Sequence, residues 1–196
     1  MSAKKRIEEK LMSDDQLCYL AVHTCQWCQA VIKQGRRFLD AFEQTHGDAP
    51  WDENEQSSMF LADKVFLITS INHAIVNLER FDYELKQRND SSFHTILEAI
   101  GTQEERIRIK KWRNMNEHDL DYLTGCGNEQ DKFISKKTKG NYQFKINAFS
   151  TLIHGDAKLF LIGDIEIDKL LVKFKDNLKP IKEKTKEIYL STVVKM

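Results

Sequence analysis

Apolar positions recur by threes and fours over two long stretches of the chain. In residues 14–46, Leu17, Leu20, Thr24, Trp27, Val31, Gly35, Phe38 and Phe42 fall on one face. That spacing is the mark of an amphipathic helix. Ser13 with Gln16 reads as a capping box ahead of it, and Gly47, opening the turn Gly47–Trp51, closes it. A second stripe runs through 55–89. Phe60, Leu67, Ile71, Ala74, Leu78, Phe81 and Leu85 form it, and Leu61, Ile68 and Ile75 widen it. Neither helix can leave such a face in water, so the two are expected to pair as an antiparallel hairpin and to pack on further helices.

Asp90-Ser91-Ser92 then opens a short helix that ends at Gly101. Thr102 with Glu105 is a second capping box and starts a helix over 103–123, which Gly125-Cys126-Gly127 ends. Residues 126–140 are polar and basic, with Lys132, Lys136, Lys137 and Lys139, and read as a loop. Residues 142–153 and 157–165, separated by His154-Gly155-Asp156, read as a β-hairpin. Helical spacing returns over 166–190 through Ile167, Leu170, Leu171, Phe174, Leu178, Ile181 and Ile188, with Pro180 expected to kink or interrupt it. The expectation is a mainly α protein, an antiparallel four- or five-helix up-down bundle. It forms a single domain over 1–196, with 126–165 inserted as a loop and β-hairpin before the last helix.

Composition narrows the function classes. A 41% hydrophobic share supports a real core, and 30 Lys and Arg against 30 Asp and Glu give no global basic field. Any nucleic-acid contact must therefore come from a local patch. No apolar run is long enough for a membrane span, and the charged start MSAKKRIEEKLMSDD lacks the apolar core of a signal peptide. Three of the four cysteines (Cys18, Cys25, Cys28, Cys126) lie inside the first helix, which is no disulfide framework. A cytoplasmic protein with reduced thiols is the resulting expectation.

The sharpest chemical signal is Arg113-Asn114-Met115-Asn116-Glu117-His118, an R-N-x-x-x-H string on the fourth helix. An arginine grips a phosphodiester in a bidentate fork, and a histidine moves protons at neutral pH. At about 100° per residue, Ile109, Trp112, Asn116, Leu120 and Leu123 make the buried face. Arg106, Lys110, Arg113, Asn114, Glu117, His118 and Asp121 make the opposite one, with Arg113 and His118 roughly 140° apart. A more ordinary reading also fits. Arg113 and Glu117 are an i,i+4 pair, and the whole set then forms a solvated face.

This motif on a late helix of a small helical bundle resembles the HEPN superfamily (higher eukaryotes and prokaryotes nucleotide-binding domain). Arg113, Asn114 and His118 fill the places of its pattern. One toxin branch of that superfamily adds a Tyr two residues after the His; this chain has Leu120 there and Tyr122 further on. The resemblance implies a metal-independent endoribonuclease, often a toxin or defence component, with a site formed where two protomers meet. It equally admits a non-catalytic module that binds a protein partner or a nucleotide. In the catalytic case the RNA 2′-hydroxyl attacks internally, so no metal or cofactor is required. His118 moves protons, Arg113 holds the phosphate and Asn114 orients either. Lys110, Lys111, Glu117 and, from the second helix, His73 complete the expected substrate-binding set. Arg106, Arg108 and the lysines of 132–139 are candidates for RNA backbone contacts. A homodimer, an RNA substrate and an antitoxin or other protein partner are the partners this implies.

Two other constellations carry weaker chemistry. Cys25-Gln26-Trp27-Cys28 is a C-x-x-C, with Cys18 on the same side. It lies mid-helix and lacks a second ligand pair, so buried small hydrophobes are favoured over a zinc or redox site. His154 reads as a turn residue. Walker A, G-x-G-x-x-G and nucleophile-elbow patterns do not occur.

Overall fold

The computed structural model describes residues 11–44, 55–118, 121, 124–127, 134–139, 142–147, 151–154, 159–162 and 165–194. These are mainly helical. Helix α1 spans Asp14–Gln44, α2 Glu55–Lys86, α3 His94–Ile100, α4 Gln103–Glu117 and α5 Ile167–Val193. Strands β1 (Ile134–Lys139) and β2 (Tyr142–Asn147) form an antiparallel ribbon. Strands β3 (Thr151–His154), β4 (Leu159–Ile162) and β5 (Ile165–Glu166) form a second antiparallel sheet in the order β3-β4-β5.

The core lies where α1 meets α2 and α5. The described members of both long stripes are buried, except Trp27, which is half-buried against the core. Leu17, Leu20, Thr24, Val31, Gly35 and Phe38 of α1 are inside, joined by Ala21, Cys25 and Cys28. On α2, Leu67, Ile68, Ile71, Ala74, Ile75, Leu78, Phe81 and Leu85 are all buried. Helix α5 contributes Ile167, Leu170, Phe174 and Ile181. Burial of one such side chain is worth about 1.5–3 kcal/mol, so this stripe is the main source of stability. Helix α5 packs tightly on α1 at Gly35, where an added methyl would overlap the Leu171 side chain. Thr185 Oγ1 donates to Ala21 O at 3.2 Å further along the same contact.

A buried carboxylate ties down the entry to α1. Glu84 of α2 is fully buried, paired with Arg80 at 2.7 Å and Arg88 at 3.0 Å, and it accepts from Met12 N at 3.2 Å. Arg88 also donates to Met12 O. The Ser13–Gln16 capping box then forms, with Ser13 N donating to Gln16 Oε1 at 3.0 Å and Gln16 N to Ser13 Oγ at 3.3 Å.

Several expected boundaries move. Helix α2 ends at Lys86, and the turn after it passes through Asn89 at φ 61, a left-handed value that Asn tolerates well. Asp90 does not cap α3 directly. It folds an Asx turn, accepting from Ser92 N at 3.0 Å and Ser92 Oγ at 2.6 Å, and α3 starts one turn later. Helix α4 stops at Glu117 rather than near 123, with Gly125 at φ +79 beyond it. Helix α5 runs through Pro180 without ending, so the proline removes one donor but no turn. The basic stretch 126–140 holds strand β1, and the expected first hairpin strand divides into β2 and β3. Two paired units thus replace the single hairpin. The run Ser135-Lys136-Lys137-Thr138-Lys139 in β1 has no apolar period to mark it as a strand. Expectations at Phe42, Gly47–Trp51, Phe60, Leu61, Leu120, Leu123, Lys132 and the Gly155-Asp156 turn concern side chains or segments outside the described residues.

The Asx turn at Asp90 also holds α5. Lys184 Nζ lies 2.6 Å from Asp90 Oδ2. This bond, with those from Ser92, lowers the Asp90 pKa from 3.8 to about 2. A depressed carboxyl stabilises the fold fully above its unfolded value and loses that contribution as pH falls through the folded one. In urea unfolding, the gap between wild type and Asp90→Asn is expected to stay constant above pH 3.8 and to close as pH approaches about 2. A gap that persists at the acid end would assign Asp90 a purely conformational role.

Candidate functional site

Helix α4 is positioned by three ties. Its start is the expected capping box: Thr102 N donates to Glu105 Oε2 at 2.9 Å, and Glu105 N to Thr102 Oγ1 at 3.3 Å. Lys173 of α5 reaches both Glu105 oxygens at 3.2 Å. Burial pushes the Glu105 carboxyl up, but the Thr102 N–H and the Lys173 ammonium outweigh it and hold it below its usual value.

The third tie is Arg106, only 5% exposed. Its Nε donates to Glu79 of α2 at 3.1 Å and its Nη1 to Glu98 of α3 at 2.8 Å, with a further bond to Gly101 O. Lys110 pairs with the second oxygen of the same Glu79. Arg106 was expected on the outer face and lies inside. The buried side of α4 is Arg106, Ile109, Trp112 and Met115. Asn116, expected there, is half-buried and donates to Trp112 O at 2.9 Å. The helix is rotated because the Glu79 and Glu98 carboxylates draw the guanidinium inward. Arg106 and Lys110 are therefore engaged in the fold.

The R-N-x-x-x-H residues stand at the open end of this helix. Arg113 Nη1 donates to Asn114 Oδ1 at 3.1 Å, and its Nη2 pairs with Glu117. His118 caps α4, and its N–H donates to Asn114 O at 3.1 Å. The His118 side chain is 67% exposed, with Nδ1 3.9 Å from Asp121 Oδ2. That is too long for a hydrogen bond but close enough for attraction once the ring is protonated. Asn114 is exposed and Lys111 half-buried. His73 is exposed and stacks on Trp27 of α1, with ring centroids 4.4 Å apart, so the contact it makes is with α1. Arg113, Asn114 and Glu117 are thus one cluster, and His118 borders it through the backbone. Lys110 and His73 are turned to other partners.

A cleft of about 200 Å³ opens beside α4, lined by Glu105, Arg108 and Ile109 of α4, by Ile165 and Glu166, and by Lys169 and Lys173 of α5. Arg108 was legible as a basic neighbour of the motif. Lys169 and Lys173 were not, because only the fold brings α5 to α4. Burial pushes the Cys28 and Cys25 thiols up, which makes both poor nucleophiles. Among the described residues no three His, Cys, Asp or Glu side chains stand together as a metal site, and no helix is long and apolar enough to cross a membrane.

No protein-family model, curated protein or solved structure matches this chain.

Breaking a buried ion-pair cluster costs about 3–5 kcal/mol, whereas an exposed pair costs about 0–1 kcal/mol. Arg106→Ala is therefore expected to lower the denaturant midpoint far more than Lys110→Ala, although both lose the same Glu79 partner. Equal, small shifts would show that Arg106 does not set the position of α4.

Proposed function

We propose that this chain is a HEPN-like, metal-independent endoribonuclease, built on an antiparallel up-down helical bundle and working as a homodimer. The observation that carries this reading is the placement of Arg113, Asn114 and His118 at the one end of α4 that the rest of the described fold leaves open. One copy offers an arginine and a histidine on an exposed surface. A second copy, brought against the same end, closes that surface into a cleft. In it, Arg113 holds the scissile phosphate and offsets the charge that develops on its oxygens. His118 takes the proton of the 2′-hydroxyl or, protonated, gives one to the leaving 5′-oxygen. Asn114, already bonded to Arg113, orients that grip. The attacking oxygen becomes bonded to phosphorus as the 5′-oxygen bond breaks, leaving a 2′,3′-cyclic phosphate. A role as a toxin or defence component, with a protein antitoxin, fits this chemistry.

One observation favours a second reading, a non-catalytic module that binds a partner protein or nucleotide. Glu117 already occupies part of the Arg113 guanidinium. In the catalytic reading an incoming phosphate displaces Glu117. In the other the pair is simply a surface ion pair of the common i,i+4 kind.

Incubation of the full chain with mixed single-stranded RNA in EDTA decides between them. Wild type is expected to produce cyclic-phosphate ends, and His118→Ala to lose roughly a hundredfold or more of the rate, the usual scale for a lost acid–base group. Equal cleavage by both proteins would remove His118 from the mechanism. A folded dimer that cleaves nothing would leave the binding module standing.

A further inference from the structure

Helix α2 is apolar on two sides. Its inner side, through Leu67, Ile71, Ala74 and Leu78, packs in the core. Its outer side faces solvent and is almost without charge. Between positions 62 and 83 the exposed side chains are Ala62, Val65, Phe66, His73, Val76 and Tyr83, with no Lys, Arg, Asp or Glu among them. Phe66 is 57% exposed and Val65 52%. Helix α5 shows the contrast, with Lys175, Asp176, Lys179, Lys182 and Glu183 all turned to solvent. A helix that is apolar all round is normally covered on all sides, and interface cores are poor in charge and rich in aromatics.

The outer side also has a period. Phe66, Thr69, His73, Val76, Arg80 and Tyr83 step by three and four in strict alternation. That is the seam of a coiled coil, so the surface that fits it is another helix. Arg80 is the one formal charge in the series. It pairs with Glu84 at 2.7 Å and lies over the Tyr83 ring, 5.2 Å from its centroid. The face can therefore be covered without leaving a charge unpaired.

The series selects its own copy as the covering helix. Turned antiparallel about an axis between His73 and Val76, it meets itself without conflict. Phe66 then faces the partner's Tyr83, Thr69 the partner's Arg80, and His73 the partner's Val76. A parallel pairing would set Arg80 against the partner's Arg80, where like charges repel. Helix α1 widens the face on one side. Trp27 stacks on His73, and Tyr19 and His23 line a groove of about 370 Å³ with Asn77. Helix α4 borders the other side through the Lys110–Glu79 pair. A patch about two helices wide and six turns long measures roughly 20 Å by 30 Å. Two such patches together bury about 1,200 Å², within the range of specific interfaces.

We propose that the outer face of α2 docks on the same face of a second copy, antiparallel, with the two-fold axis between His73 and Val76. The inference rests on the homodimer of the ribonuclease reading and deepens it by naming the surface that holds the copies together. Because α4 borders that surface, one two-fold axis can serve both the α2 contact and the open end of α4. The contact itself needs neither Arg113 nor His118.

Sedimentation velocity of the full chain over a concentration series reads the association, and circular dichroism reads the fold. Wild type is expected to be a dimer. Phe66→Lys with Val76→Lys should keep the helical spectrum, since both side chains are exposed, and raise the dissociation constant by a factor of about 30 or more. Phe66→Cys with Tyr83→Cys, in a chain with Cys18 and Cys126 replaced by Ser, gives a second reading without added charge. The two positions lie about 25 Å apart along one helix, so no disulfide joins them within a copy. Air oxidation is expected to link position 66 of one copy to position 83 of the other. Links of 66 to 66, a wild type that stays monomeric, or a dimer untouched by the lysine variant would each overturn the proposal. A dimer linked through α2 that cleaves no RNA supports it and fails the ribonuclease reading. RNA cleavage by a monomer overturns it and leaves the chemistry of Arg113 and His118 standing.

Discussion

Arg106 is the interaction on which the rest of this arrangement depends. A guanidinium only 5% exposed must find carboxylate and carbonyl partners or carry a large desolvation cost. It finds Glu79 on α2, Glu98 on α3 and the Gly101 carbonyl at the corner between α3 and α4. Three elements are thereby fixed about one planar group whose donors point in set directions. Hydrophobic burial alone would let α4 turn about its axis, because Ile109, Trp112 and Met115 form a broad apolar face. The fork of Arg106 selects one rotation.

That rotation decides where the chemistry lies. With Arg106 and Lys110 spent on Glu79, and Glu105 held by Lys173, the first two turns of α4 are committed to the fold. The last turn buries Met115 but turns Asn114 and Glu117 outward. Among the described residues Arg113 bonds with Asn114 and Glu117 of its own helix, and His118 stands exposed at the cap.

The helical part was legible because its signal is local. The stripes of α1 and α2 and both capping boxes depend on residues three or four apart. The described members of the stripes lie inside apart from the half-buried Trp27, and both boxes form. The position of Arg106 was not legible, because its partners are 27 and 8 residues away, and an arginine on a helix reads as exposed by default. Strand β1 was hidden for a related reason. Its run of Lys, Ser and Thr gives no hydrophobic period, and only pairing with β2 makes it a strand. The early stop of α4 follows from His118 leaving the helical region at φ −115 and ψ 40, a backbone choice that no side-chain pattern encodes. The Arg113–Glu117 pair was readable from its spacing, whereas the turn of His73 toward Trp27 needed the packing of α2 on α1.

The proposed meeting place of two copies is the open end of α4. It is tested most directly by a spin label at Glu117→Cys, with Cys18 and Cys126 replaced by Ser, read by dipolar electron resonance. The account predicts a single short inter-label distance, within about two helix diameters or roughly 20 Å. The absence of dipolar coupling, or a distance set by copies joined through another face, would contradict it.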